Sequence, residues 1–314
     1  MFARVTVANK QAIASELLAR FKAEEEPKLQ KKIGEVVAKL AECVSDDDEK
    51  GWLAPGQKGW PTLLPEMLQM ADCSQNPNPN SCESALRLVK DLIQPMREAV
   101  VNAQQVLGGL IQNGLSGENL KIKCASLLLI CEMVGVLDKK DWAPLIATGP
   151  VLNSVLLQLA QANQQDDVQE CLQAFVEVAS IEPDFFKKQL SESLEPAKIL
   201  STLVKTREGV EEGIRNLALE WLVTYSEKKP KWIAKSAPNF APLALECCMD
   251  LMLEVEQGDE ALNEWATRMD DEEGEEDSDE LFHSGEEAID RVVEAVGMET
   301  LSSALFQLVG NFTR

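Results

Sequence analysis

Apolar residues recur at three- and four-residue spacing along nearly the whole chain, and alternating β-branched runs are almost absent. Such a period lays one apolar stripe along one face of a helix, so it predicts helices rather than strands. Turn-forming residues then cut the pattern at fairly even intervals, and the segments fall into pairs. The first pair covers about Val7–Lys22 and Pro27–Val44, with Pro27 in a first turn, where its missing N–H costs nothing. The second covers Trp60–Ala71 and Ser81–Ile93. Its connector SQNPNPN cannot continue a helix, and Ser81 is placed to cap the second helix of the pair. The third covers Pro95–Asn113 and Gly117–Val136, where Gly108, Gly109, Gly114 and Gly117 read as terminators around a helix–helix turn. The fourth is Trp142–Ala162 with Gln165–Ser180, and the fifth Pro183–Lys205 with Gly209–Lys228. A sixth opens at Pro230, and the closing GNFTR falls inside the first helix of a seventh.

The second helices of the first five pairs begin near residues 27, 81, 117, 165 and 209, giving spacings of 54, 36, 48 and 44. Those values bracket the ~40–47 residues of HEAT-type helix pairs and fit the ~34 of tetratricopeptide repeats less well. The longest includes SDDDEKGWLAPGQKG, which reads as an insertion. One helix pair is too thin to bury its own apolar face, whereas stacked neighbours bury a continuous core. The expected fold is therefore all-α: a solenoid of about six to seven HEAT-type pairs forming one array over residues 1–314, with second helices lining its inner face. The last helix, LSSALFQLVGNF, is expected to leave Leu301, Leu305, Phe306 and Leu308 without partners, which predicts self-association or fraying there.

One segment breaks the pattern. Between Asp270 and Glu280, nine of eleven residues are acidic: Asp270, Asp271, Glu272, Glu273, Glu275, Glu276, Asp277, Asp279 and Glu280. Self-repulsion and lack of apolar mass disfavour packing of such a run. Helical patterning resumes at Ser284, and Ser284 with Glu287 matches a capping box. The run thus reads as an acidic loop, residues 270–283, inside the sixth pair, with Trp265, Met269, Leu281 and Phe282 able to dock its ends. It suits a lure for lysine- and arginine-rich partners or a solvated spacer. A calcium site is the weakest reading, because the EF-hand order of ligands and glycine is missing.

Charge extends this picture. The chain carries 53 acids against 30 bases, a formal net charge of −23, which repels phosphates and attracts basic partners. Apolar residues make up 45% of the 314, enough for a sizeable core, but no run of ~18 uninterrupted apolar residues predicts a membrane span. The N-terminal stretch lacks a secretory apolar region, and its period favours a structural helix. Eight cysteines (Cys43, Cys73, Cys82, Cys124, Cys131, Cys171, Cys247 and Cys248) show no CxxC pair, so buried free thiols in a reducing compartment are expected. His283 is the single histidine, which rules out histidine-based triads and zinc sites elsewhere in the chain. No phosphate-cradling glycine motif occurs, so neither enzymatic activity nor a cofactor is expected.

Four stretches carry a family resemblance. KQAIASELLARFKAEEEPKLQKKIGEVVAKLAE is similar to an early repeat of the importin-beta (karyopherin-beta) family, in its importin-five, or Ran-binding protein five, branch. GWPTLLPEML resembles the family's tryptophan–proline start to a first helix. AFVEVASIEP and LALEWLVTYSEKKP resemble middle repeats, and the acidic run with GEEAIDRVVEAVGMETLSSALFQLV resembles the family's acidic insertion and the helix after it.

The resemblance implies a nuclear import receptor that shuttles between cytoplasm and nucleus. It would bind basic cargo such as histones or ribosomal proteins, touch nucleoporins, and release cargo to GTP-bound Ran. It also implies charge contacts with Ran and basic cargo for the acidic run, and cargo-facing roles for Glu132 and Glu177 on second helices. The likeness covers a partial array without N-terminal and C-terminal repeats, so most of the family's Ran contact is expected to lie outside this chain. A generic HEAT scaffold and an acidic chaperone for basic proteins share the same sequence features and remain open alternatives.

Overall fold

The computed structural model describes residues 6–45, 59–254 and 280–312, and every regular element among them is helical. The chain divides into two compact units, Met1–Val155 and Leu156–Arg314. The first contains α1 (Val7–Ala23), α2 (Pro27–Ser45), α3 (Leu63–Ala71), α4 (Pro79–Leu92), α5 (Arg97–Asn102), α6 (Gln104–Ser116), α7 (Leu120–Val136) and α8 (Lys139–Trp142). A 3₁₀ helix follows at Ala143–Thr148, and α9 (Gly149–Gln161) gives residues to both units. The second contains α10 (Gln165–Ile181), a 3₁₀ turn at Pro183–Phe185, α11 (Lys187–Glu192), α12 (Glu195–Lys205), α13 (Glu212–Lys228), α14 (Pro230–Ser236), α15 (Phe240–Met252), α16 (Glu280–Val296) and α17 (Met298–Phe312).

Within the first unit α1 packs on α2, α3 on α4 and α6 on α7, and the second helices α2, α4 and α7 follow one another in contact. Within the second unit α12 packs on α13 and α15 on α16; α10, α13 and α16 form one row, and α12 and α15 are neighbours in the other. This two-layer stacking is the HEAT-type solenoid that the period predicts. The observed starts of α4, α7, α10 and α13 are spaced by 41, 45 and 47 residues, more regularly than the sequence pattern suggests.

Local chemistry explains the boundaries that moved. The cap of α4 is Asn78, not Ser81: the Asn78 side chain accepts from the N–H groups of Asn80 and Ser81, and Pro79 occupies the first turn. Asn119 does the same for α7, which begins at Leu120 rather than at Gly117. Gly108, Gly109 and Gly114 are not terminators; they lie inside α6, and only Gly117 caps it. At Gly114 the reason is a close crossing, because a Cβ there would collide with the Ser126 hydroxyl on α7. Ser284 does not cap α16 but lies in its second turn, since that helix starts at Glu280. Glu280, Leu281, Phe282 and His283 are helical, so the part of the expected loop at residues 280–283 belongs to α16, and residues 270–279 lie outside the described residues.

The first helices α1 and α3 are whole, but those from α5 onward are jointed where single helices are expected. A proline ring clashes with the carbonyl four residues back. Pro196 accordingly separates α11 from α12, and Leu194 takes a left-handed conformation at the joint. Pro150 likewise stands after a 3₁₀ stretch that stops Trp142–Ala162 from forming one helix. The second helices α7, α10, α13 and α16 run unbroken for 17 residues each.

Lys139–Gln161 is long and apolar enough by composition to cross a bilayer. It is broken into three pieces, however, and Trp142, Leu152, Val155, Leu156 and Leu159 are buried inside the protein. At the other end, α17 packs on α15 and α16. Leu301 is buried there and Leu305 and Leu308 are half-buried, contrary to the expectation that they lack partners; Phe306 alone of the four is exposed. All eight cysteines are free thiols, six of them buried.

Candidate protein-binding cleft

Neighbouring second helices α13 and α16 enclose an open cleft of about 230 Å³. Its walls follow from helix periodicity. Asn216, Leu219, Glu220 and Val223 fall at three- and four-residue steps on α13, as do Ser284, Glu287, Ala288 and Arg291 on α16, so one stripe of each helix faces the other. Leu219, Val223 and Ala288 are buried and form an apolar floor. Glu287 is exposed at the rim, and Asn216, Glu220, Ser284 and Arg291 are half-buried.

Arg291 ties the two helices together. Its Nη1 and Nη2 donate to both Glu220 oxygens at 2.7 and 3.0 Å, and its Nε and Nη2 donate to Glu227 at 2.8 and 3.1 Å. Thr224 Oγ1 donates to Glu220 Oε1 at 2.8 Å. Burial pushes the Glu220 carboxyl up, but the hydrogen bonds from Arg291 and Thr224 outweigh it and hold the group below its ordinary range. Hydrogen bonds to Glu220 and then Glu227 raise the Arg291 guanidinium, which stays charged. Glu220 is thus committed to Arg291. Among the acceptors of the cleft, the exposed Glu287 carboxylate has no ion-pair partner among the described residues, and Asn216 Oδ1 is buried with no hydrogen-bond donor.

The same helix α13 grips the chain on the other side of residues 255–279. Arg215, only 2% exposed, makes a bidentate ion pair with Glu254 and donates from Nε to the Val204 carbonyl at 2.8 Å. Arg207 adds a contact to Glu254 at 3.2 Å.

Of the acidic residues singled out from the sequence, Asp270, Asp271, Glu272, Glu273, Glu275, Glu276, Asp277 and Asp279 lie outside the described residues. Glu280 opens α16, and its side chain likewise lies outside them. Glu132 is half-buried on α7 in the first unit, and Glu177 is exposed on α10 in the second. His283 is exposed, with Nδ1 3.5 Å from Glu286. Sequence reasoning misses Asn216, Glu220, Glu227 and Arg291. The seven-residue step from Glu220 to Glu227 is a visible sign of one charged face; nothing along the chain marks Asn216.

A family model described as "IPO5-like, TPR repeats" matches residues 25–195, and one described as "Importin repeat" matches residues 207–303. The repeats here are spaced wider than the ~34 residues of tetratricopeptides. The chain is 25% identical over 295 residues to importin subunit beta-3 of Saccharomyces cerevisiae, covering 94% of this chain and 25% of that protein. Among solved structures, karyopherin Kap121p bound to the SUMO protease Ulp1p superposes with a TM-score of 0.76 at 23% identity over 97% of this chain and 27% of that one. Kap121p bound to Nup53p gives 0.75 at 22% identity with the same coverage. The chain spans about a quarter of the length of these relatives.

Proposed function

Because this chain belongs to the importin-beta family, in its IPO5-like branch, we propose that it is the cargo-binding part of a nuclear import receptor and that it holds lysine-rich segments on its second helices. The observation that carries this reading is the α13–α16 cleft. At about 230 Å³ it holds one side chain rather than a drug-sized ligand. A lysine stem lies along Leu219, Val223 and Ala288, as long cationic side chains do on apolar surface. Its ammonium donates to Glu287, and to Asn216 Oδ1 once that amide turns from its buried, unsatisfied position into the cleft. Arg291 keeps Glu220 and Glu227 from competing.

The acidic run Asp270–Glu280 leads in sequence directly into α16, so it is proposed to raise the arrival rate of basic cargo at that helix. Glu132 and Glu177 are proposed as further cation contacts on α7 and α10. Relatives bound to Nup53p and to Ulp1p support nucleoporin and cargo partners, and coupling to GTP-bound Ran is proposed for the longer receptor. The role is binding rather than catalysis, with traffic between cytoplasm and nucleus.

The test is fluorescence anisotropy with a lysine-rich peptide at moderate salt. A charge-assisted hydrogen bond to a buried acceptor contributes about 1.5–3 kcal/mol, so Asn216→Leu should weaken binding roughly tenfold or more, whereas Glu287→Gln, at an exposed carboxylate, should weaken it by only about two- to fivefold. Neutralising Asp270–Glu280 should slow association and flatten its salt dependence. Unchanged affinity in both cleft variants would refute the cleft assignment. A preference for a non-basic partner would favour a generic scaffold, and suppression of aggregation without peptide specificity would favour a chaperone.

A further inference from the structure

Away from the cleft, in the first unit, the connector between α3 and α4 brings two cysteines together. Asp72 starts a turn in which its carbonyl accepts from Gln75 and Asn76 at 3.0 and 2.8 Å, and its side chain accepts from Ser74 N at 3.0 Å and Ser74 Oγ at 2.6 Å. The Asn76 side chain then crosses the neck of the connector, donating to the Met70 carbonyl on α3 at 2.8 Å and to Ser81 Oγ on α4 at 3.1 Å. Each thiol hydrogen-bonds to backbone of the same segment: Cys73 to the Ala71 carbonyl at 3.4 Å and Cys82 to the Asn76 carbonyl at 3.6 Å. The Asn76 bridge holds the end of α3 against the first turn of α4, so Cys73 and Cys82 are neighbours across a closed connector. Cys73 is half-buried and open to small solutes, whereas Cys82 is 1% exposed.

We propose that Cys73 and Cys82 are an oxidisable pair that closes into a disulfide across the α3–α4 connector when a hydroperoxide reaches Cys73. The first step forms an S–O bond on Cys73 and breaks the peroxide O–O bond, giving the sulfenic acid and one water from hydrogen peroxide. In the second step the Cys82 sulfur attacks the Cys73 sulfur. The S–S bond forms, the S–O bond breaks, and the hydroxide leaves as a second water with the Cys82 proton. Two thiols lose two hydrogens and the peroxide is reduced to two waters. Burial, together with the neighbouring Cys73 sulfur, pushes the Cys82 thiol up to about 12, so it is a poor first target and waits for the sulfenic acid. Proximity supplies what acidity does not, because the attack is intramolecular. The exposed Cys43, far from this connector in sequence, serves as an internal comparison.

The experiment treats the folded full chain with hydrogen peroxide, blocks remaining thiols with an alkylating reagent, and analyses tryptic fragments without reduction. Residues 59–86 contain no lysine or arginine, so both cysteines fall in one fragment. The expected result is a fragment lighter by two hydrogens, unalkylated at both cysteines, which takes up two labels after reduction. Oxygen added at Met67 or Met70 is scored separately. Cys82→Ala should instead trap oxygen or a mixed disulfide on Cys73, and Cys73→Ser should leave Cys82 reduced. An unchanged melting curve for each variant shows that the fold is intact. Cys73 gaining oxygen in the unaltered chain while Cys82 stays alkylatable overturns the proposal, as does a two-hydrogen loss that persists in Cys73→Ser.

Discussion

Replacing Gly285 with alanine is the sharpest test of how α16 is held. Gly285 sits where α16 crosses α15, and a Cβ there would stand 2.6 Å from the Cys248 carbonyl oxygen, 2.9 Å from Met252 Cγ and 3.3 Å from Leu251 Cβ. The first of these is backbone inside a buried helix turn, which cannot rotate aside, so the two helices must separate. Overpacking of this kind costs about 1–3 kcal/mol. Alanine's higher helix propensity returns up to about 1 kcal/mol. The net effect is a loss of up to about 2 kcal/mol, and the sign depends on the clash alone. Gly109→Ala isolates the propensity effect, because Gly109 lies in α6 and a Cβ added there meets nothing within 4 Å. That variant should gain about 0.5–1 kcal/mol. Denaturant unfolding followed by hydrogen exchange in α15 and α16 reads the difference locally, which matters in a chain of two units. If Gly285→Ala is as stabilising as Gly109→Ala, the close crossing is not there and the cleft has no rigid wall.

Three further outcomes are expected. Gly114→Ala should destabilise α6 against α7 through the Ser126 hydroxyl, and Ser126→Ala, which removes a buried hydroxyl with no partner, should recover part of the loss in a double-mutant cycle read by urea midpoints. Arg215→Ala leaves Glu254 without its buried partner and should cost about 3–5 kcal/mol in thermal unfolding, whereas loss of an exposed pair such as Arg20–Glu16 should cost at most about 0.5 kcal/mol. Arg291→Met should change the acid limb of stability. Glu220 titrates below its unfolded value in the folded chain, so its contribution is present above the unfolded carboxylate pKa of about 4.3 and is lost as pH falls through the lower folded value. Without Arg291, burial pushes the carboxyl up, so this acid-side loss should shrink; melts run between about pH 3 and 7 would show a shallower fall below the unfolded carboxylate pKa, and an unchanged acid limb would refute the coupling.

Helix pairing is legible in the sequence because it depends only on period and punctuation, which single stretches such as Val7–Lys22 carry in full. The joints in the first helices are less so. Pro196 and Pro150 are visible, but a proline is equally at home in a first turn, and only packing decides whether one helix or two surround it. The caps are missed where asparagine competes with a nearby serine or glycine, as at Asn78 and Asn119. The cleft is illegible for a different reason. Asn216 and Glu287 are 71 positions apart, and the register that sets them opposite one another comes from how α13 and α16 slide together, not from either segment. The close-contact role of Gly285 is of the same kind, since a helical glycine looks alike whether a neighbour touches it or not.

The contrast between whole and jointed helices has a mechanical consequence. Rods of 17 residues, about 25 Å long, keep every interior backbone bond and resist bending. Their jointed partners give up such bonds at each break, as where Leu194 takes a left-handed conformation between α11 and α12. Within the second unit, then, one ply is stiff and the other compliant. Strain from gripping a guest of uneven shape would be absorbed by the segmented ply, leaving the spacing of groups along the rigid ply nearly constant.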